Sequence, residues 1–205
     1  MPLLTDLTGL AGATAAVATV FLALPGVARL RQVRPVLLLG VSVVVALVPL
    51  EALPAAGYVR GIIGDLSLTT LLLLLRGLLR PVFGWGPVEP RSRLTLQVLV
   101  AAGGLTLYPL ALGLGWLDPY RLGYASPWFL ATLFLLAMVA WLQGLHLVAA
   151  CVALAVLAWT VGVCESRNLW DYLIDPLVSA YGLGALLLRG AKARLAPLRN
   201  RAVAS

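Results

Sequence analysis

The sequence predicts an all-α, polytopic integral membrane protein: a bundle of about seven transmembrane helices, N-terminus outside and C-terminus inside. Three observations carry that expectation. Of 205 residues, 61% are hydrophobic and only 11% charged, with a mean hydropathy of +0.99. A water-facing domain needs roughly 25% charged residues, so most of this surface is expected to face lipid. The apolar residues fall in successive runs near spanning length, joined by short polar connections. Finally, the basic residues are sorted between alternate connections, which sets orientation under the positive-inside rule.

The first run, residues 8–28, is rich in alanine and is followed at once by Arg29, Arg31 and Arg34. A secretory signal carries its basic cluster ahead of the apolar run, so this one reads as a first span. The second is expected over 35–53, with Pro49 and Pro54 bracketing Glu51, and Tyr58 and Arg60 in the connection after it. The third, 61–79, would hold Asp65 in its first turn and Arg76 in its last. Its charge-free stretch, 66–75, is short, so its flanks must help span and Arg76 must snorkel to the interface.

Residues 80–93 read as the longest loop, broken by Pro81, Gly84, Gly86, Pro87 and Pro90. A fourth span over 94–117 carries Gly103-Gly104, which permit close approach of a neighbour, and Pro109, which should kink it. Asp118-Pro119-Tyr120-Arg121 is a turn. The fifth span, 126–143, reverses tightly near Gly144 and His146 into the sixth, 145–163, and the seventh covers 170–188. Residues 1–188 are therefore expected to form one transmembrane helical domain, and 189–205 a short basic cytoplasmic tail.

With seven spans, Arg29, Arg31, Arg34, Arg76, Arg80, Arg91, Arg93 and the five basic residues of the tail share the inner side. Arg60, Arg121 and Arg167 remain outside. A six-span reading would put the basic tail outside and is disfavoured. Because the positive charges cap apolar runs, the net charge of +7 does not indicate nucleic acid. Cys151 and Cys164 lie about 20 Å apart along a helix, too far to bridge. With no CxxC and no cysteine-histidine cluster, no cofactor or metal is expected. The only histidine, His146, is expected at an inner turn, away from the acids, so no serine-histidine-acid set can be assembled.

The acids show the opposite asymmetry: Asp6, Glu51, Asp65, Asp118, Glu165, Asp171 and Asp175 fall outside and Glu89 alone inside. Tyr58, Trp116, Tyr120, Tyr124, Trp128, Trp170 and Tyr172 surround them. The stretch from Cys164 to Pro176 is the densest in polar groups. Within it, Asn168 reads as a helix N-cap with Asp171 at the N3 position. Arg167, Asp171 and Asp175 are spaced i, i+4, i+8, as in an ion-pair ladder, although Asp175 precedes a proline and a break there is expected. Glu51 and Asp65 are intramembrane acids that need a partner, with Arg60 or Arg167 the natural choice. The candidate functional or assembly cluster is Glu51, Arg60, Asp65, Glu165, Arg167, Asp171 and Asp175.

The function expected is that of a multi-pass protein of a bacterial inner (plasma) membrane: a non-enzymatic integral subunit or scaffold in envelope biogenesis. It would dock a membrane-protein partner, or another copy of itself, through the outer acidic and aromatic rim, with the bilayer as its other partner. The absence of a catalytic set leans away from an enzyme. One alternative is a small transporter of protons, cations or an amphiphile, with Glu51, Asp65, Asp171 and Asp175 at its mouth. A second is an enzyme acting on a lipid or lipid-linked sugar, with Asp65 or Asp175 as base and Arg60 and Arg167 on a phosphate. Acids converging on one cavity would favour the alternatives; acids paired with arginine or capping helices would favour the subunit.

Overall fold

Proline starts helix after helix in this chain, because its fixed φ suits the first helical position and its missing N–H is not needed there. The computed structural model describes residues 2–30 and 34–203, with side chains for 5–30 and 34–195. The side chains of Arg31, Arg199 and Arg201 lie outside them. The described residues are all-helical apart from one small hairpin. Its elements are α1 (Pro2–Ala23), α2 (Pro25–Leu30), α3 (Pro35–Leu47), β1 (Pro49–Leu50), β2 (Leu53–Pro54), α4 (Ala55–Ile63), α5 (Leu68–Phe83) and α6 (Pro90–Ala111). A 3-10 turn (Pro119–Gly123) then leads to α7 (Pro127–Leu142), α8 (His146–Val161), α9 (Leu169–Leu173) and α10 (Pro176–Val203).

Several boundaries differ from expectation for local reasons. The second run stops being helical at Leu47, since Pro49 pairs with Pro54 across a hairpin whose tip residue, Glu51, has φ 59°. The third run is two helices. Gly64, at φ 71°, ends α4, and Ser67 starts α5 by accepting a hydrogen bond from the Thr70 amide. Asp65 therefore sits in the joint between helices, and Arg76 lies inside α5 instead of in its last turn. The long loop contracts to Gly84–Glu89, with Gly84 in the left-handed region and Glu89 capping α6. Helix α6 ends at Ala111, so Pro109 lies near its end and not mid-span.

The expected seventh span is also interrupted. Helix α9 ends at Leu173, Ile174 is extended, and α10 begins at Pro176. The ion-pair ladder is thus overturned: its residues belong to a loop, a short helix and the cap of another helix. Helix α10 then continues past residue 188 to Val203 without a break between span and tail.

Among the described residues, two helices are long and apolar enough to cross a membrane, Thr5–Ala23 and Pro90–Ala111, with mean hydropathies of 1.5 and 1.6. Helices α3, α7 and α8 are apolar but shorter. Sixteen residues, the length of α7 and α8, reach about 24 Å against a hydrocarbon core of roughly 30 Å. Arg76 and Arg80 interrupt the apolar run of α5.

Small residues set the closest packing. A Cβ on Gly182 of α10 would lie 2.6 Å from the Val100 side chain and 2.7 Å from the Gln97 carbonyl of α6. One on Gly104 would collide with Ser179. Gly144, at φ 74°, turns α7 back along α8, and His146 then meets Trp141 edge-on at 5.0 Å. Helix α1 packs on α3, α4 and α5. This alternation gathers the starts of α1, α5 and α10 with the end of α8 at one pole of the molecule.

Candidate functional site

That pole is held by Arg60. Placed near the end of α4, its guanidinium donates from Nε to Asp65 Oδ1 (3.1 Å), from Nη1 to Asp6 Oδ1 (3.1 Å) and from Nη2 to Glu165 Oε1 (2.7 Å). One planar cation thus ties the start of α1, the α4–α5 joint and the loop after α8. The pair with Asp65 is the least exposed, with side chains 20% and 15% accessible. Asp6 and Glu165 form the wet rim. Burial alone would lower the arginine's pKa, but its hydrogen bonds to Asp6 and Asp65 and the charges of Asp65 and Glu165 raise it. The second oxygen of Asp65 accepts the Glu165 amide at 3.1 Å, and Thr8 donates to the Val163 carbonyl. Gly9 makes room for this hub, since a Cβ there would overlap both Arg60 and Asp65.

Asp175 works two residues further along the same joint. It is 7% exposed, caps α10 by accepting the Val178 amide (2.8 Å), and accepts the Ser67 amide at the head of α5 (2.8 Å). A buried carboxylate is stable here because two helix starts direct positive N–H groups at it.

The Cys164–Pro176 stretch is stitched down residue by residue. Asn168 caps α9 through the Trp170 amide and donates to the Tyr120 carbonyl at 2.9 Å. The reciprocal bond is supplied by Ser166, whose hydroxyl accepts the Asn168 amide, and not by Asp171. Asp171 instead accepts from Tyr120 Oη (2.8 Å) and from the Ser166 hydroxyl. Burial, and then that bond and charge, push the Tyr120 phenol well above its ordinary pKa. Tyr172, fully buried, takes the Cys164 amide and donates to the Ser166 carbonyl at 3.1 Å. Burial, with the charges of Asp65 and Asp171, pushes the Cys164 thiol up to about 12, leaving no thiolate nucleophile at neutral pH.

Of the expected cluster, the structure brings Arg60, Asp65 and Glu165 together, and seats Asp171 and Asp175 close by in separate roles. Glu51 and Arg167 stand apart. Glu51 is exposed on the hairpin tip, and Arg167 is exposed and contributes only its carbonyl, to the Trp159 indole at 2.9 Å. Neither makes an ion pair among the described residues. Asp6, Gly9, Ser166, Tyr120 and Tyr172 were not in the cluster but complete it. Asp6 had a signal in its charge, whereas a helical glycine carries none.

At the same pole Trp116, Tyr124 and Trp128 remain exposed. Among the described residues, no three histidine, cysteine, aspartate or glutamate side chains are grouped to hold a metal ion. Among its described residues the molecule is, then, all-helical, with two helices long and apolar enough to cross a membrane and one pole fastened by internal ion pairs and caps. Comparison of the chain with protein families, characterised proteins and solved structures finds no match to any of them.

Proposed function

We propose that the chain is a multi-pass protein of a bacterial inner membrane. Helices α1, α3, α5, α6, α7, α8 and α10 would cross it with the Arg60 pole outside. In this reading it acts as a non-enzymatic integral subunit or scaffold in envelope biogenesis. Exposed apolar side chains along the helices, such as Leu37, Val44, Leu105 and Phe134, suit lipid better than water. Short helices are accommodated by local thinning and snorkelling arginines.

One observation carries the functional part: the carboxylates of the site are occupied. Each Asp65 and Asp175 oxygen accepts a hydrogen bond from this chain's own groups, and all three guanidinium nitrogens of Arg60 face carboxylates. That is the chemistry of a fastened scaffold, not of a general base beside a free phosphate clamp. Trp116, Tyr124 and Trp128 then offer a docking rim, aromatic residues being favoured at interfaces.

Gentle purification from native membranes, with identification of stoichiometric co-purifying proteins, tests this. The expected result is one constant partner, lost in a Trp116→Ala/Trp128→Ala variant that melts as the native chain does. Asp175→Ala should instead lower stability by about 3 kcal/mol through loss of its two helix-start bonds. A chain that purifies alone, or whose partner survives the tryptophan changes, would sink the reading.

A further inference from the structure

We infer that the opposite pole carries a binding site for a single anionic glycerophospholipid, taken from the leaflet on that side. A cavity of about 540 Å³ lies between α1, α5, α6 and α10, within the range of small-molecule sites. Its walls are apolar, with Leu74, Leu96 and Leu177 among them, and its polar end is formed by Arg76, Arg80 and Arg93. No carboxylate pairs with these arginines among the described residues. Arg76 donates to the Gly86 carbonyl (2.9 Å) and Arg80 to the Trp85 carbonyl (3.1 Å), so the Gly84–Glu89 loop folds over them without neutralising them. Arg76 and Arg80 stand one turn apart on α5, a like-charge spacing that is unfavourable unless an anion lies between.

Gln97 supplies an independent pointer. It lines the same cavity one turn below Arg93 and is 3% exposed. Its Nε2 donates to Tyr181 Oη at 3.1 Å, while its Oε1 has no partner among the described residues. A buried amide with one end unpaired is costly; turned about so that Oε1 accepts the Tyr181 hydroxyl, it leaves its Nε2 to donate to an ester carbonyl at the head of a lipid's acyl chains. Guanidinium groups at phosphate depth, an amide one turn deeper and an apolar shaft beyond match a phospholipid read from headgroup to chains.

This site rests on the membrane reading, and the test separates the two. The full chain is reconstituted in nanodiscs of phosphatidylcholine alone or doped with phosphatidylglycerol, re-extracted into mild detergent, and its retained lipid identified by native mass spectrometry. Selective retention of phosphatidylglycerol is expected, weakened about fivefold for each of Arg76→Gln, Arg80→Gln and Arg93→Gln. Arg91→Gln, on the same pole but outside the cavity, should change nothing. Retention without headgroup preference, equal weakening by Arg91→Gln, or displacement by inorganic phosphate would overturn the lipid site while leaving the membrane reading standing. A chain that stays in solution without detergent or lipid would overturn both.

Discussion

Arg60 has three acidic neighbours because arginine alone offers donors in a plane wide enough to meet three carboxylates at once. The two exposed partners contribute little individually, as wet ion pairs do; the Asp65 pair, sheltered under α1, contributes most. Gly9 makes that arrangement possible. Glycine to alanine inside a helix ordinarily stabilises by roughly 0.5–1 kcal/mol, so Gly9→Ala offers a test of sign. Here it should destabilise by about 2 kcal/mol, because the new methyl displaces the Arg60–Asp65 bonds. Arg60→Gln should cost a similar amount. Combining the two should cost far less than their sum, since both remove the same interaction. Thermal unfolding of the four proteins in detergent measures this, and strict additivity would mean that Gly9 does not act through Arg60.

At the scale of elements, the stretch from Cys164 to Pro176 behaves as a clasp closed by Tyr120, Ser166 and Asp171. The folded-state pKa of Tyr120 is raised, so its neutral phenol is the stabilising form. Its contribution is fully present below the ordinary value of 10.0 and fades as pH climbs through the folded value. The Tyr120 share of the melting temperature should therefore hold up to pH 10 and then fall; Tyr120→Phe should cost about 1 kcal/mol at neutral pH and remove the part of the alkaline fall that sets in above pH 10. A native-like alkaline slope in that variant would point to another group. The break at Asp175-Pro176 and the Asn168 cap were legible in the sequence because proline and asparagine act on their immediate backbone. The split of 61–79 into α4 and α5 was not, since Gly64 and Ser67 look tolerable in an apolar run until their φ angle and side-chain bond are known. Nor was the division of labour among the acids. Spacing along the chain placed Arg167 with Asp171 and Asp175, whereas the fold spends Asp175 on two helix starts and leaves Arg167 outside.

For the whole molecule, the two poles differ in charge and in how that charge is handled. One holds Asp6, Asp65 and Glu165 on Arg60, Asp175 on two helix starts and Asp171 on two hydroxyls. The other gathers Arg76, Arg80 and Arg93 around an apolar cavity with no acid to pair them among the described residues. Such polarity across a helical molecule with exposed apolar flanks suits the proposed bilayer orientation, in which the basic pole is cytoplasmic. The most direct measurement is cysteine accessibility in intact cells whose outer membrane has been permeabilised. With Cys151 and Cys164 replaced by serine, single cysteines are introduced by Trp116→Cys at the Arg60 pole and Trp85→Cys at the arginine pole. A membrane-impermeant thiol reagent should label the first in intact cells and the second only after the inner membrane is opened. Labelling of both in intact cells, or of the Trp85→Cys chain alone, would contradict the orientation on which the account rests.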